Sequence, residues 1–112
     1  MITVTFVRSA ANRRIVSFAV SGHADYAKRG RDIVCAGVSA VTVGTVNAIE
    51  AVAGVALPAS MRDGWVQSDI PTQADPSVDE RVQLLLEGMA VMIDTIQQSY
   101  GKYVAIQEQL VE

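Results

Sequence analysis

The stretch Asp32-Ile33-Val34-Cys35-Ala36-Gly37-Val38-Ser39-Ala40-Val41-Thr42-Val43-Gly44-Thr45-Val46-Asn47-Ala48-Ile49-Glu50-Ala51-Val52-Ala53-Gly54 decides how the rest of the chain is read. From Ile33 to Leu57 almost every residue is apolar or small, and a helix of that length could span a bilayer. Two features favour a buried helix of a soluble domain instead. Asn47 and Glu50 lie inside the stretch, and a carboxylate at mid-membrane depth is costly. Its apolar residues are mostly Ala and Val, with Leu and Phe nearly absent. Asp32 suits the N-cap, because its carboxylate can accept the free N–H groups of the first turn. Gly54 suits the C-terminal stop after Ala53. Gly37, Ala40, Gly44 and Ala48 form a small-residue stripe that lets a neighbouring element approach closely. The many β-branched residues lower intrinsic helicity, so tertiary burial must hold this helix.

Upstream, Ile2 to Arg8 alternates, with Ile2, Val4 and Phe6 on one face and Thr3 and Thr5 on the other, which predicts a strand. Asn12-Arg13 marks a turn. A second strand follows, with Val16, Phe18 and Val20 on one face and Ile15, Ser17 and Ala19 on the other, ended by Ser21-Gly22-His23. Ala24 to Arg31 is a polar, charged loop. Downstream, Ala59 to Asp63 reads as a loop, and Gly64 to Ile70 as a short strand stopped by Pro71. Thr72 to Pro76 is a turn-rich connection. Ser77-Val78-Asp79-Glu80 has capping-box spacing. Val78, Val82, Leu85, Leu86, Met89, Ile93, Ile96 and Tyr100 then recur at helical spacing up to Gly101. A last strand covers Tyr103 to Leu110. The expected fold class is α+β: a two-layer domain with a mostly antiparallel sheet in ββαβαβ order and two helices on one face.

The chain has 112 residues, which fits one domain over residues 1–112. Half its residues are hydrophobic, which excludes a mainly disordered chain. A single cysteine excludes an internal disulfide and any zinc-ribbon spacing. The net charge of −3 gives no electrostatic reason to expect direct nucleic-acid binding. The N-terminal segment alternates where a secretory signal would carry a basic head and a long apolar run. With a free thiol, this makes the cytoplasm the expected compartment, and no membrane partner is expected.

The one histidine and the one cysteine are twelve residues apart, and only a loop separates them. His23 ends a strand and Cys35 falls in the first turn of a helix. A thiol near a helix N-terminus feels partial positive charge that favours the reactive thiolate. A histidine within reach could take the thiol proton and return it to a leaving group. The plainer reading is that Cys35 is a small apolar core residue and His23 a hydrogen-bonded surface residue. Asp32 could orient His23, but by propensity the helix cap is favoured. Ser39, one turn after Cys35, could bond the Cys35 carbonyl or help place the thiol. Gly22 and Gly30 flank the loop as candidate hinges. Tyr26 and Trp65 are candidate groove residues, although Trp65 on an alternating strand also suits the core. Lys28-Arg29-Gly30-Arg31 is a solvated basic run that could draw an acidic partner. One His and one Cys are too few for a closed metal site, so no metal is expected.

Gly22-His23-Ala24-Asp25-Tyr26, followed by Gly30-Arg31-Asp32-Ile33-Val34-Cys35-Ala36-Gly37-Val38-Ser39-Ala40, resembles the ribosomal-processing cysteine proteases, the Prp family. The His-to-Cys spacing matches, Asn47-Ala48-Ile49 is also similar, and length and element order fit the whole chain. The resemblance implies a cysteine endopeptidase that removes an N-terminal extension from a large-subunit ribosomal protein precursor, cut near a pair of aromatic residues. It implies His23 as catalytic histidine, Cys35 as nucleophile, and oxyanion donors among the amides near Cys35. It also implies a homodimer, a flexible loop at Ala24 to Arg31, and no cofactor. The alternative is a non-catalytic ribosome-assembly or dimerisation module with an inert, buried Cys35. A small membrane-associated protein using Ile33 to Leu57 as a span is the third reading.

Overall fold

A computed structural model describes all 112 residues. Seven elements follow in the order ββαββαβ: β1 (Ile2–Ser9), β2 (Ile15–Ser21), α1 (Ile33–Ala53), β3 (Ser60–Arg62), β4 (Trp65–Asp69), α2 (Pro76–Tyr100) and β5 (Val104–Val111). The five strands form one sheet in the order β3-β4-β2-β1-β5. Three pairings are antiparallel, and β1 with β5 is parallel. The sheet is therefore mixed. A parallel neighbour cannot be reached by a tight hairpin, and α2 supplies the crossover from β4 to β5.

The burial of β1 alternates strictly, with Ile2, Val4, Phe6 and Arg8 inward and Thr3, Thr5, Val7 and Ser9 half-buried on the other face. One face of the sheet thus carries the core, and both helices pack over it, joined in one apolar cluster that includes Phe18, Ile49, Leu86 and Ile93. The alternation expected for β2 is broken at its start. The β1–β2 register shifts so that Val7 faces Ser17 while Arg8 faces Ile15, which leaves Val16 unpaired. Ile15 is consequently fully buried beside Phe18 and Val20, opposite to its expected face. The Gln83 side chain seals this irregularity: its NH2 donates to the Ile15 carbonyl and its Oε1 accepts the Ile15 N–H, both at 2.9 Å.

Two further expectations are corrected. Ser60–Arg62, expected to lie in a loop, pairs with Trp65–Gln67 as a hairpin arm across Asp63-Gly64. Gly64 supplies the left-handed backbone of the turn at φ +70°. The expected order ββαβαβ gains this one strand. The cap of α2 is Asp75 rather than Ser77: its carboxylate accepts the Ser77 N–H at 2.9 Å and the Ser77 hydroxyl at 2.8 Å. Pro76 then occupies the first helical turn, where its missing N–H costs nothing. In α1 the caps are as expected, with Asp32 at the start and Gly54 (φ +71°) at the end. Only one side of α1 is covered, by Val34, Val38, Thr42, Thr45, Val46, Ile49 and Ala53. Its small-residue stripe divides: a Cβ on Gly37 would lie 3.6 Å from Ile96 of α2, whereas Gly44 faces open space.

Opposite the N-terminus of α1, buried Arg8 crosses from the sheet to α2. Its guanidinium forms a fork with both Glu87 oxygens, donates to Glu108 Oε1 at 2.8 Å and donates to the Arg13 carbonyl at 2.9 Å. Arg14 donates to both Asp79 oxygens and to the Ile70 carbonyl, and holds the Asp79 carboxyl below the usual carboxylate range. Buried charge is tolerated here because every guanidinium nitrogen of both arginines faces an acceptor. Arg8→Leu leaves Glu87 and Glu108 without their shared cation. Both carboxylates are half-exposed and can recover water. We expect a loss of about 2 kcal/mol in urea unfolding, between the values for an exposed and a fully buried pair.

Candidate active site

The N-terminus of α1 opens into a cleft of about 670 Å³, within the range of ligand-binding pockets. It lies between the loop after β2 and the β3–β4 hairpin. His23, Cys35, Asp32, Gly22, Gly30 and Ser39 all border it. Tyr26 does not. Its ring instead packs edge-on against Tyr100 and Tyr103, with centroids 5.6 and 5.1 Å away.

Cys35 is half-buried and unoxidised. The Ala24 N–H donates to its sulfur at 3.3 Å. This donor belongs to the residue after His23, so one short segment carries both the imidazole and the amide that faces the thiol. Three other amides at the helix start are already engaged. Val34 and Cys35 N–H both donate to Asp32 Oδ1 at 3.0 Å, and Ala36 N–H donates to the Asp32 carbonyl. Among the amides near Cys35 expected to form an oxyanion hole, the Ala24 N–H is the one that faces the sulfur, and the Ile33 N–H at the cleft is left without a partner.

Asp32 does not contact His23. Its second oxygen, Oδ2, accepts the Tyr26 N–H at 2.9 Å and the Ala27 N–H at 3.4 Å. One carboxylate thus holds the helix start with one oxygen and the loop with the other. Desolvation alone would raise the Asp32 carboxyl, but the amides of Cys35, Ala27, Tyr26 and Val34 outweigh it and hold it below the usual range.

His23 is exposed, and its ring lies on the hairpin turn. A Cβ on Gly64 would sit 2.7 Å from His23 Nε2. The Gly22 N–H donates to the Gly64 carbonyl at 2.8 Å, which fixes the strand end beside the same turn. Gly22 itself has φ +91°, and a side chain there would strike the Met1 carbonyl. In the sequence, only the Asp63-Gly64 pair signals the role of Gly64. Gly30 (φ +84°) borders open space at the far end of the loop. Ser39 is exposed on the rim, and its hydroxyl does not bond the Cys35 carbonyl. The Arg62 guanidinium lies 4.5 Å from the centroid of the half-exposed Trp65 ring, so Trp65 is not a core residue. An exposed ion pair, Arg29 to Asp63 at 3.0 Å, joins loop to hairpin on the rim.

At the inner end of the cleft lies Thr42, wholly buried, whose hydroxyl has no hydrogen-bond partner. Val20, Val38 and Val66 line the same cleft, so its inner part is apolar. No cluster of three or more His, Cys, Asp or Glu side chains is close enough to hold a metal ion. The cleft therefore brings together a thiol, an imidazole and a backbone amide that faces the thiol.

Comparison with known proteins identifies the family. The family model described as cysteine protease Prp matches residues 1–105. The ribosomal processing cysteine protease Prp of Bacillus subtilis is 40% identical over 96 residues, 84% of this chain and 86% of the relative. Its counterpart in Staphylococcus aureus is 34% identical over 93 residues, 83% of this chain and 86% of the relative. The crystal structure of the S. aureus protease with a covalently linked product peptide superposes with a TM-score of 0.86 at 31% identity, covering 97% of this chain and all of that one. The match spans nearly the whole fold as well as the loop and helix start that build the cleft, and the chain is accordingly a cysteine protease of the Prp family.

Proposed function

We propose that this chain is the endopeptidase that removes the N-terminal extension of a large-subunit ribosomal protein, with Cys35 as nucleophile and His23 as general base and acid. The observation that carries the assignment of roles is the amide of Ala24 held on the Cys35 sulfur, in a cleft that His23 shares. His23 and the thiol are not hydrogen-bonded to each other in this structure; contacts of this kind tighten when substrate fills the cleft. The relatives' names and the peptide-bound S. aureus structure support the substrate class.

The steps follow from the groups available. His23 takes the thiol proton, and the Cys35 sulfur attacks the scissile carbonyl carbon, forming a C–S bond and a tetrahedral oxyanion. The Ala24 N–H, freed from the sulfur's lone pair, is a donor available to that oxyanion. Collapse breaks the C–N bond, and His23 returns its proton to the departing amine. Water, deprotonated by His23, then attacks the thioester and releases the new carboxyl terminus with the thiol restored. Asp32 acts through position: it holds the loop and the helix start and touches no reacting group.

A second copy of the chain is the proposed partner in solution. Leu84, Val91 and Met92 are exposed along α2, and Val52 along α1, an apolar surface that a dimer would cover. The cytoplasm, where thiols stay reduced and ribosomes are built, is the proposed compartment. An inert-thiol binding module is disfavoured because Cys35 is half-buried and opens onto the cleft.

Intact-mass analysis of the extended ribosomal protein from the same organism is the direct test. Wild type is expected to release one defined N-terminal piece, Cys35→Ala none, and His23→Ala at a rate lower by about 10²–10⁴-fold. Cleavage by folded Cys35→Ala would refute the nucleophile. Gly64→Ala, strained at φ +70° and crowding His23 Nε2, is expected to lower kcat by about 10²-fold in stopped-assay kinetics. An unchanged kcat would show that the imidazole needs no support from the hairpin.

A further inference from the structure

The loop after β2 is exposed from Asp25 to Arg31, yet it begins with a buried residue, Ala24, whose N–H must sit on the Cys35 sulfur. Besides the exposed ion pairs of Arg29 with Asp63 and of Asp25 with the N-terminal amine, which contribute little, two attachments hold it. The first is the pair of loop amides on Asp32. The second is the Tyr26 ring, seated between Tyr100 at the end of α2 and Tyr103 at the entry to β5, with interplanar angles of 87° and 82°. Edge-to-face geometry of this kind sets the positive rim of one ring against the negative face of another. The contacts run ring to ring, so the ring is what the neighbours hold.

We propose that Tyr26 is a positioning residue: its ring, docked on Tyr100 and Tyr103, holds the loop so that the Ala24 N–H stays aimed at the Cys35 sulfur. The chain between Ala24 and Tyr26 is short and strained, with Asp25 in the left-handed region at φ +57°. A shift at Tyr26 therefore passes directly to Ala24. This rests on the peptidase reading for its kinetic consequence, but its structural consequence can be read without substrate. The docking site lies outside the cleft, so Tyr26 is not a substrate contact in this arrangement.

The test pairs two readouts on Tyr26→Ala, Tyr26→Leu and Tyr26→Phe. Amide hydrogen exchange followed by NMR reports the Ala24 N–H, and steady-state cleavage separates kcat from KM. Losing both ring contacts in Tyr26→Ala or Tyr26→Leu is expected to lower Ala24 protection and kcat by roughly ten-fold each, with KM little changed. Tyr26→Phe keeps the ring and is expected to match wild type in both. Tyr100→Leu removes one partner from α2 without altering the loop, and is expected to move both readouts in the same direction. Should Tyr26→Ala fail to fold, Tyr26→Leu and Tyr100→Leu carry the test. Unchanged Ala24 protection in a folded Tyr26→Leu overturns the proposal, and so does an unchanged kcat when the wild type is active. A Tyr26→Phe variant as impaired as Tyr26→Leu also overturns it, because the hydroxyl would then be the working group. Absence of cleavage by wild type would count against the peptidase reading alone, since Ala24 protection would still report the docking.

Discussion

The site depends on the four hydrogen bonds of a single carboxylate. Asp32 Oδ1 accepts the first-turn amides of α1, and Oδ2 accepts two amides of the loop. Helix start and loop are thereby held at one fixed separation, and that separation puts the Ala24 N–H on the Cys35 sulfur. The arrangement changes the simplest picture of a cysteine at a helix N-terminus. In that picture the free first-turn amides face the sulfur. Here Asp32 has engaged those of Val34 and Cys35, and a carboxylate offsets the positive end of the helix. The sulfur is left with a donor supplied from the loop. Helix capping and loop placement thus share one side chain, with one carboxylate oxygen serving each.

The topology brings the remaining parts to the same end of the molecule. The parallel pairing of β5 with β1 requires α2 to run the length of the sheet and return. Its last residue, Tyr100, and the turn into β5 then lie beside the start of β1, where the Ile2 N–H donates to the Tyr103 carbonyl at 2.8 Å. The tyrosine pair that receives Tyr26 follows from that crossover. The β3–β4 hairpin supplies the opposite wall, with Gly64 under His23. At the far end, Arg8 of β1 and Arg14 just before β2 join the sheet to α2 through paired charges. Charge thus closes one end of the two-layer packing, while the other end remains open as the cleft.

Much of this was legible in the sequence, because the governing signals are local. Strict alternation marked β1, helical spacing marked α2, and Asp32 and Gly54 marked the ends of α1. His23 and Cys35 stood out as the only residues of their kinds, and the Gly22–Ala40 motif carried the family. What escaped depends on contacts distant in sequence. Ser60–Arg62 is exposed throughout and has no apolar alternation to read. The bulge that turns Ile15 inward shows only when β2 is laid against β1. Asp75 and Ser77 are both good caps, and the choice rests on where Pro76 sits. Tyr26 had the composition of a groove residue, but its ring partners lie more than seventy positions away.

Asp32→Ser measures the central claim most directly, because serine can cap a helix nearly as well as aspartate but offers one short oxygen in place of two. The account predicts a thermal midpoint close to wild type together with a kcat for precursor cleavage reduced at least ten-fold or so, as expected when a catalytic group shifts by a fraction of an ångström. Full activity in Asp32→Ser would mean that the cap alone matters, and that the loop finds its place on Cys35 without the carboxylate.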